Sequence, residues 1–241
     1  MKSERIKRLS KTEHREVHIN VDYLKQPEAA THVVPVLVSE LLSVTANYPT
    51  FLIKDSETGE FLLAALLGFA EDENLFISWD GSWSSTHVPL TIARKPFHLS
   101  EDRTDVFIDI DNPWVSFESG ERLFSDNGEF TPFMDKMLGM LERIASGVDE
   151  TKSFVKTLLD YGLVKLVSLE LTFEDLKPRN LQGLYNIDHA KLRSLSQGDL
   201  SELHRLGILE GAFMMSHSLE KMKSLVFLKD RLNRKLAEVS R

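Results

Sequence analysis

The chain has 241 residues, 42% hydrophobic, 9% aromatic and 27% charged, with no cysteine. At about 150 residues per domain this is one large domain or two intimate ones, long enough to bury about 70–75% of its unfolded surface without a disulfide or a metal. A net charge of −8, from 37 acidic against 29 basic residues, opposes binding to a phosphate backbone and speaks against a nucleic-acid partner. The absence of thiols excludes disulfides, thiolate nucleophiles, iron–sulfur clusters and cysteine-ligated zinc.

The start is locally basic, with Lys2, Arg5, Lys7, Arg8 and Lys11 against Glu4. No apolar stretch of signal-peptide length follows it. The longest apolar run, Phe61 to Ala70, is far short of the about 18 residues a membrane span needs. The expectation is a cytoplasmic protein with no membrane span, with export to the cell surface by a signal-independent route left open.

In chain order, Val34, Leu37, Val38, Leu41, Leu42 and Thr45 fall on one stripe at helical spacing, a helix ended by Asn47-Tyr48-Pro49. Phe51 to Ile53 and Phe61 to Leu67 flank the turn Asp55 to Gly59, a β-hairpin whose nearly continuous apolar second arm needs cover on both faces. Asn74 to Trp79 reads as a short strand, residues 80–104 as a long loop, Val106 to Ile110 as a strand and 111–130 as loop again. Thr131 and Pro132 are a helix N-cap and first position. Gly147 is read as that helix's stop, and Asp149 as the cap of a second helix closed by Gly162.

Val167 to Phe173 alternates as a half-buried strand, with Leu181 to Ile187 as its partner beyond the break at Lys177 to Asn180. Asp188 and Asp199 cap two short helices, the second ending at Gly207, and a helix over 208–238 closes the chain. Strands cluster early and helices late, so the fold class is α+β: a mainly antiparallel sheet packed by helices, with a helical C-terminal half. The expected organisation is a single domain over 1–241, sub-divided if anywhere near 128–131, because the late strand pair is too thin a sheet alone and is expected to join the first.

Four constellations bear on chemistry. On a strand, His14, Glu16 and His18 share a face, a donor set that suits zinc or non-haem iron; a solvated polar face near a frayed terminus is the plain alternative. Trp79 and Trp83 flank the Asp80-Gly81 turn and lead to His87 and Arg94. These aromatic and Arg groups suit stacking, cation–π contact and bidentate carboxylate recognition, and a long ordered loop carrying them is a candidate surface for a protein or small-molecule partner. The alternative is that the rings anchor the loop to the core. Asp109 and Asp111, with Glu118 and Glu121 nearby, offer oxygens to a hard cation but lack a calcium-loop spacing. His217 and Ser218 are adjacent and point apart on a helix, so they form no nucleophile–base pair. Lone glycines such as Gly183 and Gly207 make no dinucleotide fingerprint, and no cofactor is expected.

Several stretches together resemble the SapC family of bacterial proteins. The resemblance runs from about Val34 to Leu228 and rests on Phe61 to Phe69, Glu73 to Phe76, Trp83 with Val88-Pro89, Arg94 to Phe97, Gly120 to Phe124, Leu181 to Asp188 and Leu203 to Leu209. His87 stands where the pattern expects a tyrosine. The family takes its name from a surface-layer gene locus. The resemblance therefore implies a binding or accessory role, associated with the cell envelope or surface layer, or with an oxygenase or halogenase partner. It supplies no catalytic residues. The alternatives are a metal-dependent enzyme and a structural array subunit that forms a homo-oligomer through its C-terminal helix.

Overall fold

The computed structural model describes residues 5–20, 31–78, 80–100, 102–174 and 178–239. In chain order the elements are β1 (Ile6–Arg8), β2 (His18–Ile19), β3 (Val33–Pro35), a 3-10 turn (Val38–Glu40), α1 (Leu41–Asn47), β4 (Thr50–Lys54), β5 (Phe61–Leu66), α2 (Leu90–Ala93), β6 (Phe97–Leu99) and β7 (Val106–Asp109). Then follow β8 (Val115–Ser116), β9 (Glu121–Arg122), α3 (Pro132–Asp160), β10 (Val164–Thr172), β11 (Pro178–Ile187), α4 (His189–Arg193), α5 (Gln197–Arg205), α6 (Ile208–Ser218) and α7 (Lys221–Val239). All strand pairs are antiparallel and helices dominate after residue 131, which makes the fold α+β.

The main sheet has the order β10-β11-β4-β5-β3. The β4–β5 hairpin turns where Asp55 Oδ1 accepts the N–H groups of Glu57 (3.0 Å) and Thr58 (2.7 Å). Its second arm is buried from Leu63 to Leu66. The late pair joins this sheet, with Leu184 of β11 opposite Ile53 and Tyr185 opposite Leu52. Side chains lock the junction. Asn186 Nδ2 donates to Thr50 O at 2.9 Å, and the Ser218 hydroxyl accepts from Thr50 N at 3.0 Å. Two smaller sheets, β1-β7-β6 and β8-β2-β9, come from the first half of the chain.

Thr131 caps α3 as expected, its side chain accepting from Met134 N at 3.3 Å. The helix does not stop at Gly147 but runs 29 residues to Asp160. Gly147 keeps helical backbone and serves close approach instead: a Cβ there would lie 3.1 Å from both Leu37 Cδ1 and Ser39 Oγ. Asp149 is therefore mid-helix, paired with Arg103 at 2.8 Å. Gly162, at φ +63, ends the helix. The helix carries one apolar stripe past two cores. Met134, Met137 and Leu141 pack with Val17, Phe97, Ile108 and Leu123, whereas Phe154, Val155 and Leu158 pack with the main sheet, α1 and α6.

Other boundaries also move. Pro35 lies in strand β3, so the helix expected from Val34 begins only at Leu41, after the 3-10 turn. Within 74–78 the chain forms only an isolated bridge, Ile77 to Trp83, and Trp79 lies outside the described residues. The loop at 80–104 contains α2 and β6, and 111–130 contains β8 and β9. Asp188 caps α4, accepting from Ala190 N at 2.9 Å, but Ser196 rather than Asp199 caps α5. The helix expected over 208–238 is two, α6 and α7, broken at Leu219 and Glu220, where the Ser218 hydroxyl donates to Met215 O at 2.6 Å. No described helix is long and apolar enough to cross a membrane.

Candidate functional site

The site is built around a buried carboxylate. Glu40 closes the 3-10 turn and is 4% exposed. Its Oε1 accepts the Leu37 N–H at 3.2 Å, reaching back over its own turn, and its Oε2 accepts the Leu90 N–H at 3.1 Å. The same Oε2 faces His87 Nε2 at 2.7 Å, from a side chain that is 21% exposed. A buried carboxylate needs several such partners to offset its lost hydration. Two of them, His87 and Leu90, come from the far end of the loop that follows β5, so Glu40 pins that end onto the start of α1. With Nε2 facing the carboxylate, the imidazole keeps Nδ1 for another group, and no hydrogen bond occupies it among the described residues.

A second anchor lies beside the first. Trp83 Nε1 donates to Tyr48 Oη at 2.8 Å and to His87 O at 2.9 Å. Tyr48 Oη in turn donates to His87 O in a very short contact, and burial pushes its phenol pKa up. The Trp83 ring stacks on Phe76, with centroids 6.3 Å apart and planes at 21°. Asn47 Oδ1 collects the hydroxyls of Ser85 (2.6 Å) and Thr86 (3.1 Å). Trp83 is thus turned inward as an anchor, while His87 keeps one edge toward solvent.

Arg94 ends α2, followed by a cis Lys95–Pro96 bond and β6. Its Nη1 donates to Phe97 O at 2.7 Å and lies 3.1 Å from His98 Nδ1. Burial alone lowers the Arg94 pKa. His98 is lowered first by burial and then by the charge of Arg94, against a smaller opposing effect of Asp109.

The structure does not bring His14, Glu16 and His18 together as a strand face would. Residues 11–16 are turns, and only His18 reaches β2. His14 is buried, at 2% exposed, with Nδ1 accepting Ser10 N at 3.0 Å; Glu16 is exposed; His18 Nδ1 faces the Glu16 carbonyl at 3.0 Å. Among the described residues no group of three His, Cys, Asp or Glu side chains is placed to hold a metal ion. Asp109 instead pairs with Arg5 at 2.6 Å. His217 is exposed and Ser218 buried on β4, while the neighbouring Ser216 hydroxyl bonds His189 Nε2.

Glu40 and Tyr48 escaped the sequence reading. The signal was present: Glu40 lies three residues after Leu37 and four before Val44, a carboxylate on the apolar stripe of the helix.

The family model SapC matches residues 9–225 of this chain. The chain belongs to the SapC family. No curated protein and no solved structure matches it. This SapC chain therefore carries its loop from Trp83 to Phe97 inside the matched region, held by two internal anchors, Glu40 and the Trp83–Tyr48 pair.

Proposed function

We propose that this SapC protein is a binding or accessory protein, with the loop from Trp79 to Phe97 as its recognition surface. His87 and Arg94 present polar groups to a protein or small-molecule partner, and Trp83 holds His87 in place. The observation that supports this reading is the Glu40 carboxylate, which ties His87 and the Leu90 N–H to α1. A loop fixed before binding loses less freedom when the partner arrives, which favours affinity. The family resemblance gives the setting: a cell-envelope or surface-layer association, or a partner from an oxygenase or halogenase system. A cytoplasmic site of action remains part of the reading.

The test compares immobilised wild-type, His87→Ala and Arg94→Ala proteins in extracts of the source cells. Loss of more than 1 kcal/mol per contact appears as about fivefold weaker retention of a saturable partner, with the melting temperature of His87→Ala little changed. Equal retention by all three proteins overturns the assignment of the surface.

A second reading has its own observation. Phe213 on α6 and Phe227 and Leu236 on α7 are 47%, 58% and 48% exposed, a supply of apolar surface for a homo-oligomer through the C-terminal helices. Light scattering across a concentration series, with Phe227→Ser as control, tests this. A monomer at every concentration removes it.

A further inference from the structure

We propose that Arg94, positioned by His98, forms a carboxylate-binding site; this rests on the reading of loop 79–97 as a recognition surface. In the β1-β7-β6 sheet, Phe97 pairs with Ile108 and both are buried. Side chains alternate along a strand, so His98, its partner Phe107 and the next partner Arg8 make a row on the opposite face.

The other guanidinium groups on and around that face are matched. Arg8 pairs with Asp105 at 2.5 Å and Arg5 with Asp109 at 2.6 Å. Arg94 is the exception: among the described residues no carboxylate lies within salt-bridge distance of it. Its one engaged nitrogen, Nη1, spends itself on a neutral carbonyl and on His98 Nδ1.

A guanidinium has donors only, so His98 Nδ1 accepts and its hydrogen sits on Nε2. Burial and the neighbouring Arg94 charge keep that imidazole neutral. Arg94 Nε and Nη2 are then two donor groups on one edge of the guanidinium, with no protein acceptor among the described residues; the Nε2–H of His98 points away from Arg94, so His98 positions the guanidinium and does not touch the ligand. Such a set, around a partly desolvated guanidinium, takes an oxyanion, and the planar fork matches a carboxylate in bidentate fashion. Charge selects within the oxyanions. A carboxylate brings one negative charge and a phosphate about −1.5 to −2, so the phosphate is repelled more strongly by Asp109, whose charge reaches this site. The ligand class is therefore a monocarboxylate, from a small acid or a chain terminus.

The test uses the full chain and sodium acetate as probe, with sodium chloride and inorganic phosphate at matched ionic strength. Nitrogen-15 NMR of the Arg94 Nε and His98 ring follows binding. Acetate is expected to give a saturable shift, and phosphate a weaker one. Arg94→Gln should weaken acetate binding by about tenfold, the loss of a charge-assisted pair, with circular dichroism unchanged. If that variant does not fold, His98→Phe, which keeps the strand, is expected to lower acetate affinity on its own. A shift linear in acetate, tighter binding of phosphate, or wild-type affinity in a folded Arg94→Gln overturns the site. A partner lost by His87→Ala but held by Arg94→Gln, with no acetate saturation, overturns the carboxylate site and leaves the recognition surface standing. Saturable acetate binding with no partner retained does the reverse.

Discussion

Replacing Glu40 by alanine removes three hydrogen bonds at one stroke. Two of the donors, Leu37 N and Leu90 N, are buried backbone groups with no water to turn to. Each buried donor left unsatisfied costs about 1–3 kcal/mol, so the pair costs about 2–6 kcal/mol. The third donor, His87, has a 21% exposed side chain and can be rehydrated, so it adds little. Removing Glu40 also relieves the desolvation of its own charge, which offsets part of the loss. The expected destabilisation is about 3 kcal/mol, or roughly 6–12 °C in melting temperature for a chain of this size. Glu40→Gln, which keeps one acceptor oxygen, should lose about half as much. Urea unfolding of both variants checks the values, and amide hydrogen exchange at Leu90 should accelerate in step. A Glu40→Ala protein within about 0.5 kcal/mol of wild type, as surface substitutions usually are, would refute the reasoning that this carboxylate pins the loop.

Trp83→Phe keeps the stack on Phe76 but loses both indole hydrogen bonds; a loss of about 1–2 kcal/mol in urea is expected, and a neutral result would show the indole N–H to be idle. Gly211→Ala should destabilise by about 1–2 kcal/mol despite the better helix propensity of alanine, because the added Cβ would sit 2.5 Å from Phe154 Cε2 and 3.2 Å from Leu41 Cδ2; a raised melting temperature would contradict that packing. Burial lowers the His14 pKa below its ordinary 6.5, so the folded state disfavours the proton that the unfolded chain accepts. His14 therefore contributes stability that is complete above pH 6.5 and lost as pH falls through the folded-state pKa. His14→Asn should flatten the loss of melting temperature between about pH 7.5 and 5.5, and an unchanged slope would exclude His14 as its source.

Local rules carried the parts of the fold that local chemistry decides. The Thr131–Pro132 start, the Gly162 stop, the Asp188 cap and the β4–β5 hairpin each depend on a few neighbouring residues, and all stand where their residues imply. The errors fell where distant contacts decide. Gly147 looked like a terminator because its packing against Leu37 and Ser39, more than a hundred positions away, is invisible in its own neighbourhood. The break between α6 and α7 coincides with Ser218 bonding to Thr50, another long-range fact. The candidate site divides in the same way. His87 and Arg94 were legible by type, but the Glu40 partner of His87 lies 47 positions earlier, and the inward turn of Trp83 depends on Tyr48.

The pairing of β4 with β11 has a consequence for the chain as it is made. β4 leaves the ribosome with β5 on one side, but its other neighbour, around Leu184, follows about 130 residues later. At about 5–20 residues per second that interval is roughly 7–26 s. Throughout it β4 presents an unpaired strand edge and the apolar side chains Phe51 and Leu52, which are buried in the finished fold. Such an edge is a template for pairing with another nascent chain. Synthesis thus has a vulnerable window that closes when β11 arrives, and chains terminated within α3 should aggregate through β4 while full-length chains do not.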